Sequence, residues 1–76
     1  MQFVTSQNRV HTIPAHLIKD VEVVTLSERV FSVIAHTDNL DYTMGIYCKE
    51  TTAQFEVANM ADNLNGNINY TFMEYK

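Results

Sequence analysis

The chain has 76 residues, a formal net charge of −4 and one cysteine. That length suits a single domain covering residues 1–76, and a lone Cys48 rules out an internal disulfide. The five cations, Arg9, Lys19, Arg29, Lys49 and Lys76, are dispersed, which argues against the clustered charge that grips a phosphate backbone or an anionic membrane.

A hydrophobic content of 46% against 18% charged residues can build a core. A domain this small buries only roughly 60–65% of its unfolded surface, and chains of this size commonly add a metal or a partner chain when disulfides are absent. No apolar run approaches the roughly 20 residues of a membrane span. Met1 to Arg9 lacks the basic and apolar stretches of a signal peptide. With the unpaired thiol, this places the chain in the cytoplasm as an expectation.

Taken in chain order, Gln2 to Thr5 and Val10 to Ile13 are short β-prone runs joined by the polar turn Ser6–Arg9, a hairpin pattern. Pro14 fixes φ and lacks an N–H, so it suits the start of a single helical turn over Ala15 to Lys19. Val21 to Leu26 is rich in β-branched residues and reads as a strand. Arg29 to Thr37 reads as a central strand, apolar on both faces. Tyr42 to Cys48 alternates with Tyr42, Met44, Ile46 and Cys48 on one face. A four-residue loop over Asp38–Asp41 would pair Thr37 with Tyr42, Ala35 with Met44, Val33 with Ile46 and Phe31 with Cys48. A shift by one residue would mix the faces.

Thr51 with Gln54 three residues on matches a capping box. Val57, Met60, Ala61 and Leu64 follow at helical spacing, widened by Phe55 and Ala58. Asn65 and Gly66 supply the stop, Gly66 being suited to the left-handed conformation. Asn67 to Tyr75 resumes alternation as a last strand. The expected architecture is α+β: a mainly antiparallel sheet of about five strands, one α-helix on one face and a C-terminal strand.

Motifs of chemistry are sparse. Cys48 and His36 point to opposite faces in that register, and an unpaired cysteine reads as a buried packing residue. His11 and His16 are five apart with Pro14 between them, which is not the i, i+4 spacing of a helical metal pair. Asp38, Asn39 and Asp41 read as an ordinary turn. Asp20, Glu22, Glu50, Glu56 and Asp62 are dispersed, with Glu50 and Glu56 explained by a solvated helix face or by favourable charge near the helix N-terminus. No catalytic, cofactor-binding or metal residue is assigned, and no cofactor is expected. The aromatic residues Tyr47, Tyr70, Phe72 and Tyr75 are the candidate interface, because an apolar terminal strand invites pairing with another chain.

Tyr42, Thr43, Met44, Gly45, Ile46 and Tyr47, followed by Lys49, Glu50, Thr51, Thr52, Ala53, Gln54 and Phe55, resemble a group of very short uncharacterised proteins of Firmicutes and their phages. In that group a β-meander precedes a helix. Phe3, Val4, Ile13 and Ile18 extend the likeness to about residues 1–64. Asp38 and Asn39 stand where such members often carry Asp-Gly. The resemblance implies that fold and a phage or mobile-element origin, and carries over no catalytic residue.

The expected function is a non-enzymatic protein-interaction or oligomerisation module, a homodimer or a subunit of another protein. The alternatives are a small acidic inhibitor of a nucleic-acid-handling protein, and an enzyme or metal-binding protein in which His36 or His11 meets a carboxylate in a pocket.

Overall fold

A computed structural model describes residues 1–74. The order is β1 (Phe3–Thr5), β2 (Thr12–Pro14), a 3-10 turn (Ala15–Leu17), β3 (Asp20–Ser27), β4 (Val30–His36), β5 (Asp41–Tyr47), α1 (Glu50–Asn65) and β6 (Tyr70–Thr71). The class is α+β with one helix among the described residues. The strands form two three-stranded sheets, ordered β2-β1-β6 and β3-β4-β5, in place of the expected single sheet of about five strands. The chain divides there because Pro14 and the turn after it redirect the backbone before β3.

The meander follows from its sequence, with one correction. β3 pairs with β4 antiparallel, placing Val21, Val23 and Thr25 beside Ala35, Val33 and Phe31. The β4–β5 turn is four residues long as expected but occupies Thr37–Leu40. Thr37 Oγ1 accepts from Leu40 N at 3.1 Å and donates to Leu40 O at 2.6 Å. That clasp draws Thr37 into the turn, so His36 pairs with Asp41 and Ala35 with Tyr42.

A bulge follows. Ile34 pairs with Thr43 but Val33 with Gly45, leaving Met44 as the extra residue. Beyond it the alternation inverts. Tyr47 turns inward at 4% exposure, Ile46 turns outward at 52%, and Cys48, past the end of the strand, is exposed. The expected pairings of Phe31 with Cys48 and Val33 with Ile46 are therefore replaced by Phe31 with Tyr47 and Val33 with Gly45.

Helix α1 covers the inner face of this sheet. It starts at Glu50, so Thr51 already lies inside the first turn. The residue before the helix is Lys49, with no side-chain cap, and the acidic Glu50 suits the positive end of the helix dipole. Its buried stripe is Ala53, Glu56 and Met60, flanked by Val57 and Leu64. Phe55, Ala58 and Ala61 face solvent. At the other end, Gly66 N bonds to Asp62 O and Asn63 O, and Ile68 N to Asn63 O. The left-handed residue is Asn67, with φ 60°, while Gly66 has φ −88°. Asn tolerates that conformation better than most residues.

The small sheet closes the other end. β1 pairs antiparallel with β2 and parallel with β6. Among the described residues the expected strand over Asn67 to Tyr75 is only Tyr70–Thr71, because beyond Phe72 the backbone leaves β1 and Met73 N donates to Glu56 Oε1 at 2.9 Å. Asn69 Oδ1 accepts from Phe3 N at 2.9 Å, and Phe72 N donates to Thr5 O at 3.0 Å. Val4, Ile13 and Phe72 from this end join Val33, Ala35, Met44, Tyr47, Ala53 and Met60 in one core.

Glu56 is the one charged-type side chain buried among the described residues, at 1% exposure. The sequence places it on a solvated helix face; the structure turns it into the core, where its Oε1 accepts from Tyr70 Oη at 2.7 Å and from Met73 N at 2.9 Å. Those bonds offset the cost of removing a carboxyl group from water. Gly45 is fixed by packing. A Cβ there would meet the Tyr47 ring at 2.7 Å, and that ring is held in place by its own bond to Met73.

Two sets of denaturant-unfolding measurements follow. Gly45→Ala should destabilise by about 1–3 kcal/mol through overpacking, whereas Gly66→Ala, whose Cβ meets nothing closer than 3.6 Å, should be neutral or mildly stabilising. Glu56→Ala should cost about 1–3 kcal/mol, because it strands the Tyr70 hydroxyl, with Glu56→Gln losing less.

Candidate functional site

The four aromatic residues expected at an interface separate. Tyr47 and Phe72, the latter at 1% exposure, are taken up by the chain's own core. Tyr70 is half-buried, meets Phe72 edge-on at 5.4 Å and bonds Glu56. Burial first, then the bond to Glu56, holds its phenol well above the ordinary tyrosine pKa. Tyr75 lies outside the described residues. Tyr70 and Phe72 are anchored inward because β6 returns to the chain's own β1.

Of the candidate chemical groups, only His11 and Asp38 share a pocket among the described residues. Cys48 is exposed in a shallow depression beside Arg29 and Thr52, which corrects its reading as a buried packing residue. His11 leans against Tyr42 at 5.1 Å between ring centroids. That pair lies on a cleft of about 420 Å³ walled by Leu17 and Leu40 and also by Thr37, Asp38 and Asn39, so His11 and Asp38 line one pocket. Among the described residues no group of three or more His, Cys, Asp and Glu side chains could hold a metal ion.

His36 does meet carboxylates, but on the open outer face of the β3-β4-β5 sheet. Its Nδ1 lies 2.7 Å from Asp41 Oδ1 and its Nε2 lies 2.6 Å from Glu22 Oε1. One imidazole thereby joins all three strands. Both ring nitrogens can donate only when the ring is protonated. The bonds to Asp41 and Glu22 accordingly raise the His36 pKa above its ordinary value. Sequence spacing hides this cluster, because Glu22 and His36 are brought together only by strand register.

The backbone edges of the two sheets are the other feature. β2 offers three residues ending in Pro14, and β6 offers two. The edge of β5 is occupied by Gln7. Its N donates to Met44 O at 2.6 Å, its Oε1 accepts from Ile46 N at 3.1 Å and its Nε2 donates to Ile46 O at 3.3 Å. The loop that aims Gln7 is held by the buried Ser6, whose Oγ donates to Asn8 Oδ1 and accepts from His11 N.

β3 is different. It is eight residues long, pairs only with β4 and has no strand on its other side among the described residues. Proline and lysine are absent from it. Beside it the outer sheet face carries half-buried Val24 and Ile34 and exposed Ile46 and Leu26.

No protein-family model, curated protein or solved structure matches this chain. No helix among the described residues is long and apolar enough to cross a membrane.

The His36 cluster predicts a pH dependence. Because the folded-state pKa is raised, its stabilisation is fully present below the unfolded value of about 6.5. It is lost as pH rises through the higher folded value. The melting temperature of wild type should therefore lose this contribution above about pH 6.5. His36→Gln should remove that part of the profile while leaving the fold intact by circular dichroism.

Proposed function

We propose that this chain is a non-enzymatic protein-interaction module whose contact element is the free edge of β3. The observation that carries this reading is the contrast among the sheet edges. Short strands, a terminal proline and a side chain laid along the backbone are the usual ways an edge is kept from pairing. β2, β6 and β5 have them. β3 has only Asp20 at its start and the irregularity between Thr25 and Ser27 at its end, and between them it presents Val21 to Thr25 as a regular β-branched run with one carboxylate, Glu22.

Addition of an extended segment to such an edge gains main-chain hydrogen bonds, with side-chain contacts on both faces setting specificity. The outer face supplies Val24, Ile34 and Ile46 for that purpose. Enzymatic readings have less to stand on. His36 meets its carboxylates in the open, His11 shares its cleft with Asp38, whose carboxylate lies 3.6 Å from Lys19, and Tyr70 is held protonated by burial and Glu56. The acidic-inhibitor reading is not favoured either: Glu22 and Asp41 are engaged by His36, Asp38 lies 3.6 Å from Lys19, and Glu56 is buried.

A random extended-peptide library selected against the purified chain tests the reading. Selected peptides should slow amide hydrogen exchange across residues 20–26, and Val23→Pro should abolish their binding. Protection confined to the cleft walled by Leu17 and Leu40 would show that the contact element lies elsewhere.

A further inference from the structure

We infer that the partner strand at β3 is β3 of a second copy of this chain, paired antiparallel about a two-fold axis through Val23. The inference rests on β3 being the contact edge and adds the identity of what binds there.

The β3 edge is self-complementary in one register. A two-fold axis perpendicular to the sheet keeps both inner faces on one side, so inner residues must oppose inner residues. Val21, Val23 and Thr25 are the inner set, being paired with Ala35, Val33 and Phe31. Glu22 and Val24 belong to the outer set, being paired with Ile34 and Ser32. Registers shifted by one residue oppose inner to outer and are excluded.

Among the remaining registers, charge and regularity choose. With Glu22 on the axis, each carboxylate faces its own copy, and with Val21 on the axis, Asp20 faces Glu22. Both place like charges directly opposite, which destabilises a strand pair. With Val24 on the axis, Glu22 faces Leu26, which lies in the irregularity between Thr25 and Ser27. Only Val23 to Thr25 then pairs regularly.

With Val23 on the axis, five residues of the regular stretch Asp20 to Thr25, Val21 to Thr25, pair with one another, and only Asp20 falls opposite Leu26. Val21 faces Thr25, Val23 faces itself and Glu22 faces Val24. No carboxylate meets another, and Glu22 keeps its bond to His36. The β3-β4-β5 sheets of the two copies become one of six strands, with Val24 of each copy beside Glu22 of the other on the outer face. Such an isologous contact closes on itself and leaves no free β3 edge.

The register makes a sign-specific prediction. Val24→Glu places two symmetric like-charge pairs against Glu22, whereas Val24→Lys places two opposite-charge pairs there. Native mass spectrometry over a concentration series should find a wild-type dimer. Val24→Glu should raise its dissociation constant on the order of two- to thirtyfold, and Val24→Lys should leave it unchanged or lower it. Circular dichroism checks that each variant folds. Wild-type amide exchange read against concentration provides a measurement without substitution, with protection of residues 21–25 rising as the dimer forms.

A wild-type chain that stays monomeric at the highest soluble concentration overturns the inference. If peptides still protect residues 20–26, the contact edge stands and its partner is a different protein; if they do not, both readings fail. A dimer that Val24→Glu and Val24→Lys weaken equally, or leave unaltered, overturns the Val23-centred pairing.

Discussion

The Met73 peptide unit is where the separate parts of this chain are tied together. Its N–H donates to the buried Glu56 carboxyl of α1. Its carbonyl accepts from Tyr47 Oη at 2.9 Å and from Gln7 Nε2 at 3.3 Å. One residue with an exposed side chain thus links the first loop, β5 and the helix through its backbone. A small core cannot hold two sheets together by area alone. Directional bonds in a water-poor setting supply the remaining constraint, and there each unmade bond is costly. That is why a carboxyl group belongs at the centre of an otherwise apolar helix stripe.

The Met44 bulge is the second constraint, and it serves the first. Without the extra residue, Tyr47 would point away from the helix and Ile46 toward it. With it, the Tyr47 hydroxyl reaches the Met73 carbonyl, while the Ile46 backbone turns to Gln7. Gly45 belongs to the same arrangement, since the Tyr47 ring lies where its side chain would be. The inversion also leaves Cys48 outside the core.

These devices treat the sheet edges unequally. The loop, the bulge and the C-terminal segment all act at the β5 side, where Gln7 substitutes for a neighbouring strand. Among the described residues no loop or side chain is laid along β3, whose one irregularity lies at its end, between Thr25 and Ser27. His36 binds the three strands at one end of the outer face without covering their edge. The molecule is consequently consolidated along one side and open along the other, an asymmetry that gives the interaction reading its direction.

Local pattern determined much of the architecture. The hairpin at the amino terminus, the turn after Pro14, the three meander strands and the helix stop near residue 66 all rest on neighbouring residues alone: β-branched runs, turn chemistry and helical spacing. Four features depended on contacts between residues far apart in sequence. They are the division into two sheets, the β4–β5 register beyond the bulge, the inward turn of Glu56, and the meeting of Glu22, His36 and Asp41. Glu56 is separated from Met73 by seventeen residues, and Glu22 from His36 by fourteen. A carboxyl at helical spacing reads as a solvated face until the group that satisfies it is known. Edge exposure is likewise a property of strand order, which alternation cannot encode. The composition pointed to a partner, but only the tertiary structure moved the candidate surface from the aromatic tail to β3, because Tyr47 and Phe72 are consumed by the core that the tail helps to close.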